Sequence, residues 1–236
     1  MPATKSAINE VYLFLNPGGA THTMAFFNQA VDWFERVQHT PFYQHLLEEF
    51  AGFLELTPAM DVLDVGCGPG YLTRLIAQKA QSVTCVDIAS KMIERAREHA
   101  FRAGIENAFY EVGSAEDIPA GSDRFDLVCA TSVVYLLKDP VAALREMGRV
   151  LKSGGHLAMM NPSDAMTYRN VSSFVESHGL DAREAEVLEG WLHAAEGARR
   201  FSEQRASKVM EEAGLALVTN ERHLDGLTLF SKAIKG

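Results

Sequence analysis

Three closely spaced glycines and an aspartate mark the part of the sequence best suited to bind a nucleoside-containing cofactor. Gly66, Gly68 and Gly70 follow the short apolar run Val62–Val65 and precede a helical pattern. Glycines at such a position let the backbone turn sharply and approach a ligand closely. Asp87 ends the next apolar run, about 20 residues later, where a carboxylate can accept hydrogen bonds from both hydroxyls of a ribose.

The glycine spacing also distinguishes between cofactors. A nicotinamide dinucleotide site favours the pattern Gly-x-Gly-x-x-Gly, whereas here the third glycine comes early and Tyr71 stands where it would be. Asp64, just before Gly66, would disfavour a pyrophosphate and attract the cation of an amino acid. We therefore expect a cofactor that carries a nucleoside and an amino-acid cation.

The elements that must position these residues alternate regularly from Asp61 onward. Short apolar runs predict five strands: Val62–Val65, Ser82–Val86, Ala108–Val112, Phe125–Cys129 and His156–Met160. Helical patterns separate them: Tyr71–Ala80, Ser90–Ala103 and Asp139–Leu151, the last two with N-caps at their first residues. This alternation predicts an α/β fold of the Rossmann-like, doubly wound type, whose mostly parallel sheet is covered by helices on both faces.

Further helices flank this core. Two are predicted before it, at Asn28–Val37 and Phe42–Leu56, and three after it, at Met166–His178, Asp181–Arg200 and Ser202–Ala213. An antiparallel hairpin, Leu215–Thr219 with Leu227–Ile234, completes a seven-stranded sheet. We expect an N-terminal helical cap over 1–57, a main domain over 58–236 and a helical insertion over 163–201 after the fifth strand. The segment 1–20 receives no assignment.

Composition excludes several classes of protein. The chain has 236 residues, a net charge of -9 and 47% hydrophobic residues, which indicates a folded globular protein and disfavours nucleic-acid binding. It contains neither an apolar run of membrane-spanning length nor the layout of a secretion signal, so a cytoplasmic location and no stable membrane insertion are expected. Cys67, Cys85 and Cys129 lack the spacing of zinc ligands and are predicted to be reduced and buried. We predict no metal site.

At this point the sequence resembles a known family. The segment Val62–Gly70 is similar to motif I of the class I S-adenosylmethionine-dependent methyltransferases, of the small-molecule type with a methyltransferase-11/25-like core. Further blocks follow in the order typical of that family: Val86–Met92, Gly113–Pro119, Phe125–Val128 with Tyr135–Pro140, and Leu151–Gly155. Ordered blocks over roughly 60 to 160 are much stronger evidence than one glycine-rich loop.

The resemblance implies S-adenosylmethionine as cofactor and S-adenosylhomocysteine as product. The glycines would line the methionine moiety, and Asp87 would hold the ribose. Ile88 and Met92 would flank the adenine, with Ala115 and Glu116 beside its edge. Ser114 stands where many relatives have Asp, so main-chain contacts or Glu116 would replace that side chain. The implied cofactor-binding set is Asp64, Gly66, Cys67, Gly68, Gly70, Asp87, Ile88, Met92, Ser114, Ala115, Glu116 and Thr131.

Methyl transfer from a sulfonium needs in-line positioning more than a base. Thr131, Ser132 and Tyr135 fall where the family places residues facing the methyl group, and Thr131 and Tyr135 are the predicted positioning residues. The alternative for these residues is local backbone bonding and core packing. Acceptor contacts are expected from the helices outside the cofactor domain and from the end of the fifth strand: Trp33, Tyr43, Asn161, Tyr168 and Trp191. The insertion would then act as a lid that excludes water.

Three functions remain open at this level. The first is methyl transfer to a small, partly apolar metabolite by a monomer or homodimer. The second is methylation of a quinone or lipid head group, although the chain shows no basic amphipathic helix. The third is a cofactor-binding module without methyl transfer, since fold does not determine function.

Overall fold

A seven-stranded, mostly parallel sheet forms the centre of the protein. The computed structural model describes residues 24–196 and 199–236. The strands are β1 Asp61–Val65, β2 Ser82–Asp87, β3 Ala108–Val112, β4 Phe125–Thr131, β5 Leu151–Pro162, β6 Leu215–His223 and β7 Thr228–Lys235. Their order is β3-β2-β1-β4-β5-β7-β6, with β7 antiparallel to both of its neighbours. The predicted Rossmann-like fold class is confirmed.

The helices cover both faces of this sheet and extend beyond it. They are α1 Met24–Gln29, α2 Val31–Gln38, α3 Pro41–Phe53, α4 Tyr71–Ala77, α5 Ser90–Arg102, α6 Pro140–Val150, α7 Tyr168–His178, α8 Ala182–Ala194 and α9 Glu203–Glu212. A 3-10 turn, Val134–Leu136, follows β4. The segment 1–20, which received no assignment from the sequence, lies outside the described residues.

Several helix ends follow from local chemistry. The Asp139 carboxylate accepts from the Ala142 N–H at the start of α6, as predicted, and the Ser202 hydroxyl accepts from the Arg205 N–H at the start of α9. The N-cap predicted at Ser90 is wrong. Ala89 is the cap residue of α5, and its methyl side chain offers no capping hydrogen bond; the Asp87 carboxylate accepts from the Ala89 N–H.

Two boundaries differ from the pattern-based prediction for physical reasons. Strand β5 begins at Leu151 rather than at His156, because Leu151 pairs with Phe125 before the register shifts. Helix α8 ends at Ala194 rather than at Arg200, and the sequence carries a glycine at 197, a residue that weakens helix interiors.

The topology places a crevice at the centre of one sheet edge. The chain runs outward from β1 to β3, returns to β4 beside β1, and then runs outward in the other direction. Ligands of open α/β sheets bind at such a switch point, beyond the carboxyl ends of the strands. Helices α1 to α3 and α8 contribute residues to the cavities there.

None of the helices in the described ranges is long and apolar enough to cross a membrane.

Candidate functional site

An open cleft lies at the carboxyl ends of β1, β2 and β4. Eight of the predicted cofactor-binding residues line it: Gly66, Gly68, Asp87, Ile88, Met92, Ser114, Ala115 and Thr131. These residues come from four separate sequence blocks, and the sheet topology brings them together. Their position beyond the strand ends is where open α/β sheets bind ligands.

The turn after β1 has no room for a side chain at Gly66. Gly66 has φ +70°, and its N–H donates to the Val86 carbonyl at 2.6 Å. A Cβ atom at Gly66 would lie 2.2 Å from Cγ2 of Val133, far inside van der Waals contact. The bare backbone therefore forms the floor of the cleft, which lets a ligand approach it closely.

Asp87 joins the glycine turn to the start of α5. One carboxylate oxygen accepts from the Gly68 N–H at 3.0 Å and the other from the Ala89 N–H at 2.9 Å. The side chain is 8% exposed, and burial raises the pKa of Asp87 to about 6. The carboxylate thus faces the cleft in a fixed orientation and keeps lone pairs for the hydroxyls of a ligand.

Asp64 lies behind the glycine turn and does not line the cleft. Its carboxylate is fully buried and accepts from the Thr73 hydroxyl at 2.8 Å and, weakly, from the Cys129 thiol. Burial raises the pKa of Asp64 to about 7. Asp64 therefore does not reach the cleft, where it would contact a cofactor cation directly.

Three other predicted cofactor residues also lie outside the cleft lining. Cys67 is buried, and its thiol points to the Gly68 carbonyl. Gly70 is the N-cap residue of α4 with φ +84°. Glu116 is exposed, and its N–H donates to the Ser114 hydroxyl. The three cysteines are free and buried.

A second, smaller and mostly apolar cavity adjoins the cleft. Trp33, Tyr43, Tyr135 and Trp191 line it, so three of the five predicted acceptor residues and one predicted positioning residue meet there. Six residues border both cavities: Phe27, Phe34, Val37, Tyr43, Ser132 and Leu136. Because the walls are shared, a molecule in the apolar cavity would lie next to a ligand in the cleft.

Hydroxyl groups mark the junction of the two cavities. Tyr43 Oη and Ser132 Oγ share a hydrogen bond of 3.2 Å. Ser132 has φ +57°, a strained conformation of the kind found at ligand sites. Burial raises the pKa of Tyr43 to about 12 and that of Tyr135 further above its ordinary value. Both phenols therefore remain protonated near neutral pH and act as hydrogen-bond donors.

Two predicted acceptor residues lie outside the cavity. Asn161 is buried, and its side-chain oxygen accepts from the Tyr135 N–H at 3.1 Å, which positions the 3-10 turn behind the site. Tyr168 is 55% exposed and donates to Glu196 at 2.6 Å. Tyr168 therefore belongs to the surface of the insertion, because α7 presents it away from the sheet.

Sequence reasoning missed part of the site on helices α1 and α2. Phe27, Val37 and Gln38 line the cleft but were not among the predicted site residues. Phe27, Phe34 and Val37 recur at near-helical intervals, so this apolar face was visible in the sequence. What that face covers is decided by tertiary packing.

The described residues offer little acid–base or metal chemistry here. Asp87 is the one carboxylate that lines either cavity, and no described histidine, lysine or arginine does so. No group of three or more His, Cys, Asp or Glu suited to a metal ion occurs within the described ranges.

Comparison with known proteins agrees with this geometry. A family described as a methyltransferase domain matches residues 56–214. The ubiquinone biosynthesis O-methyltransferase of Xanthomonas euvesicatoria pv. vesicatoria (strain 85-10) is 38% identical over 112 residues, 47% of this chain and 46% of that relative. The chain thus spans less than half the length of that curated relative. The 27-O-demethylrifamycin SV methyltransferase of Amycolatopsis mediterranei (strain S699) is 29% identical over 181 residues, 70% of this chain and 66% of the relative.

A solved structure supports the fold. Magnesium protoporphyrin IX methyltransferase from Synechocystis PCC 6803, crystallised with bound SAH, superimposes with a TM-score of 0.66 over 90% of this chain and 97% of that one, at 17% identity. The matched segment 56–214 contains the glycine turn, Asp87 and the strands that carry them. The chain belongs to the class I S-adenosylmethionine-dependent methyltransferase family.

Proposed function

We propose that the chain transfers a methyl group from S-adenosylmethionine to an oxygen atom of a small, largely apolar acceptor. The observation that carries this proposal is the apolar cavity at Tyr43 and Trp191, which shares six wall residues with the cofactor cleft. A shared wall permits the in-line approach that displacement at a sulfonium requires. We also propose that the helices of 1–57 form a cap and those of 163–201 a lid over this site.

The residues present fit the cofactor. The backbone of the turn at Gly66 and Gly68 lines the cleft where the methionine part would lie, and Asp87 offers oriented oxygens to the ribose hydroxyls. When bound, S-adenosylmethionine supplies an activated methyl group. The chain holds its nucleoside at Asp87, orients the acceptor at Tyr43 and Ser132, and excludes water with aromatic side chains.

The described residues that line the acceptor cavity offer hydrogen-bond donors and include no carboxylate, histidine or lysine. Its polar groups are the hydroxyls of Tyr43, Ser132 and Tyr135 and the indole N–H of Trp191. That N–H is buried and forms no hydrogen bond of good geometry within the described residues. It lies near the Tyr135 phenol and lowers the pKa of that group, against the larger effect of burial. An unpaired buried donor costs about 1–3 kcal/mol. An acceptor that carries a carbonyl or ether oxygen would recover this energy.

Two relatives support an oxygen as the methylated atom. The names of both curated relatives describe methyl transfer in the making of a quinone or of a rifamycin, which are ring-bearing molecules. We propose a hydroxyl on a ring-bearing metabolite as the acceptor. The quinone head group stays the second candidate, since the similarity to the ubiquinone biosynthesis O-methyltransferase covers 47% of this chain. The buried free cysteines fit the predicted cytoplasmic location, and a monomer or homodimer stays a prediction.

The first test is calorimetric titration with S-adenosylmethionine, S-adenosylhomocysteine and NADH. We expect micromolar binding of the first two and none of NADH. Asp87→Asn should weaken binding roughly 10- to 100-fold, because it removes a charged acceptor of several hydrogen bonds. Since the pKa of Asp87 is raised to about 6, wild-type affinity should rise with pH through that value, and the variant should lose this dependence. Binding of NADH alone would overturn the proposal.

The second test is release of S-adenosylhomocysteine in the presence of acceptors. Phenols, catechols, quinols and macrocyclic alcohols form the acceptor panel. The rate with each acceptor is measured as a function of pH. Because no described residue that lines the acceptor cavity is a base, the rate should follow ionisation of the acceptor hydroxyl. Liposome flotation distinguishes a lipid-borne quinone from a free metabolite. Tight cofactor binding without transfer to any acceptor would favour the non-catalytic alternative.

A further inference from the structure

Gln38, the last residue of helix α2, connects the cap to the cofactor cleft. Its side-chain oxygen accepts from the N–H of Tyr71, the first residue of α4, at 3.1 Å. Its side chain also lines the cleft. The cap helix therefore touches the end of the glycine turn through one side chain.

This bond determines which end of the amide faces the ligand. A backbone N–H requires an oxygen as its partner, so the Gln38 Oε1 is committed to Tyr71. The Nε2 lies 3.5 Å from the point where a Cβ of Gly68 would stand. It makes no hydrogen bond with any residue in the part of the chain that the structure describes. Its N–H donors are thus left for a molecule beside Gly68.

The charge of the cleft shows what kind of group would need these donors. Among the described residues that line it, the one ionised side chain is the Asp87 carboxylate, and no lysine or arginine is present. The amino-acid part of the cofactor carries a carboxylate, which has no cationic partner among these residues. The turn at Gly66 and Gly68 is where the family resemblance places that part of the cofactor.

We propose that Gln38 binds the cofactor, donating a hydrogen bond from Nε2 to the carboxylate of its methionine moiety, and so selects ligands that carry this carboxylate. The proposal rests on the cofactor of the proposed function and not on methyl transfer or on the acceptor. Helix α2 also carries Trp33, Phe34 and Val37, which line the apolar cavity. The same bond therefore connects cofactor binding to the wall of the acceptor site.

Gln38→Glu separates this role from a purely structural one. The glutamate keeps an oxygen that accepts from the Tyr71 N–H, but it replaces the amide donors by a negative charge. Titrations at pH 8 compare S-adenosylmethionine with its decarboxylated form, which has the same sulfonium and nucleoside. We expect Gln38→Glu to weaken binding of S-adenosylmethionine roughly 10- to 100-fold and to leave the decarboxylated form within about threefold of wild type.

Two controls make the result interpretable. Gln78→Glu introduces the same charge at an exposed position after α4 and should leave both affinities unchanged. Thermal unfolding shows whether each variant folds as the wild type does. Equal weakening of both ligands, or no weakening of either, in folded Gln38→Glu would overturn the inference while the proposed function stands. Failure of the wild type to bind S-adenosylmethionine would overturn both.

Discussion

At the scale of single residues, Gly66 combines two constraints that are separable by experiment. Its φ of +70° belongs to the left-handed region, which costs an L-residue about 1–2 kcal/mol. Its missing side chain also makes space for Val133, whose Cγ2 would lie 2.2 Å from an added Cβ. The first constraint concerns the backbone alone, whereas the second concerns the floor of the cofactor cleft.

Gly66→Ala should therefore destabilise the protein by about 2–4 kcal/mol, the sum of strain and overpacking, and weaken S-adenosylhomocysteine binding more than tenfold. Gly104→Ala is the matched control, because Gly104 has φ +67° and nothing within 4 Å of its added Cβ. That control should lose about 1 kcal/mol and keep its affinity. Chemical denaturation and calorimetry measure the two quantities. Equal effects of the two substitutions on binding would contradict the steric argument, and Val133→Ala should partly rescue Gly66→Ala.

At the scale of elements, helix α2 is joined to α5 and to the glycine turn by one charged cluster. Glu35 on α2 pairs with Arg95 and lies 3.0 Å from His99 Nε2, both on α5. The other nitrogen of His99 lies 3.0 Å from the Pro69 carbonyl. Glu35 and Arg95 are partly shielded, at 25% and 28% exposure, so their attraction is less screened than that of surface pairs. Burial lowers the pKa of His99, so its contact with Glu35 is a hydrogen bond of the neutral ring.

Glu35→Gln should loosen α2 over the cleft by about 1 kcal/mol and raise the dissociation constant of S-adenosylhomocysteine about three- to tenfold. Hydrogen exchange of the α2 amides should become faster, with α6 unchanged. Glu98→Gln is the control, since Glu98 lies 4.0 Å from the same Arg95 on the exposed side of α5. If both variants exchange and bind alike, α2 is held by apolar packing and the cluster has no positioning role.

At the scale of the whole molecule, the pH dependence of stability comes from the centre of the sheet. Asp64 lies in β1 between Cys85 of β2 and Cys129 of β4. Burial raises the pKa of Asp64 to about 7 and that of Asp87 to about 6. A carboxyl group with a raised pKa in the folded state stabilises the protein fully below its unfolded pKa, near 4, and this contribution is lost as pH rises through the folded pKa.

The free energy of unfolding should thus fall as pH rises from about 4 to about 7, the range between the unfolded and the folded pKa of Asp64. Asp64→Asn should remove most of this slope and be more stable than wild type at pH 8 by on the order of 2 kcal/mol, because it buries no charge. Urea unfolding at several pH values measures the slope, with the exposed Asp117→Asn as control. A wild-type slope of opposite sign would show that Asp64 stays ionised in the folded protein.

The same buried carboxylate shows how far local reasoning reaches. The position of Asp64 before the glycines was evident in the sequence, and it suggested direct attraction of a cofactor cation. The structure places the side chain behind the turn, bonded to Thr73. A residue in the middle of a strand faces one side or the other of the sheet, and only packing shows which groups await it there.

The sequence by itself determined the strand and helix order, the glycine turn and Asp87, because periodicity and turn chemistry are local properties. Tertiary structure alone decided that Trp33, Tyr43, Ser132 and Trp191 surround one cavity, while Tyr168 of the same insertion faces outward. It also decided that Gln38 reaches Tyr71 and the cofactor cleft. These residues are far apart in the chain, and their contacts follow from how the cap and insertion pack on the sheet, which no local pattern encodes.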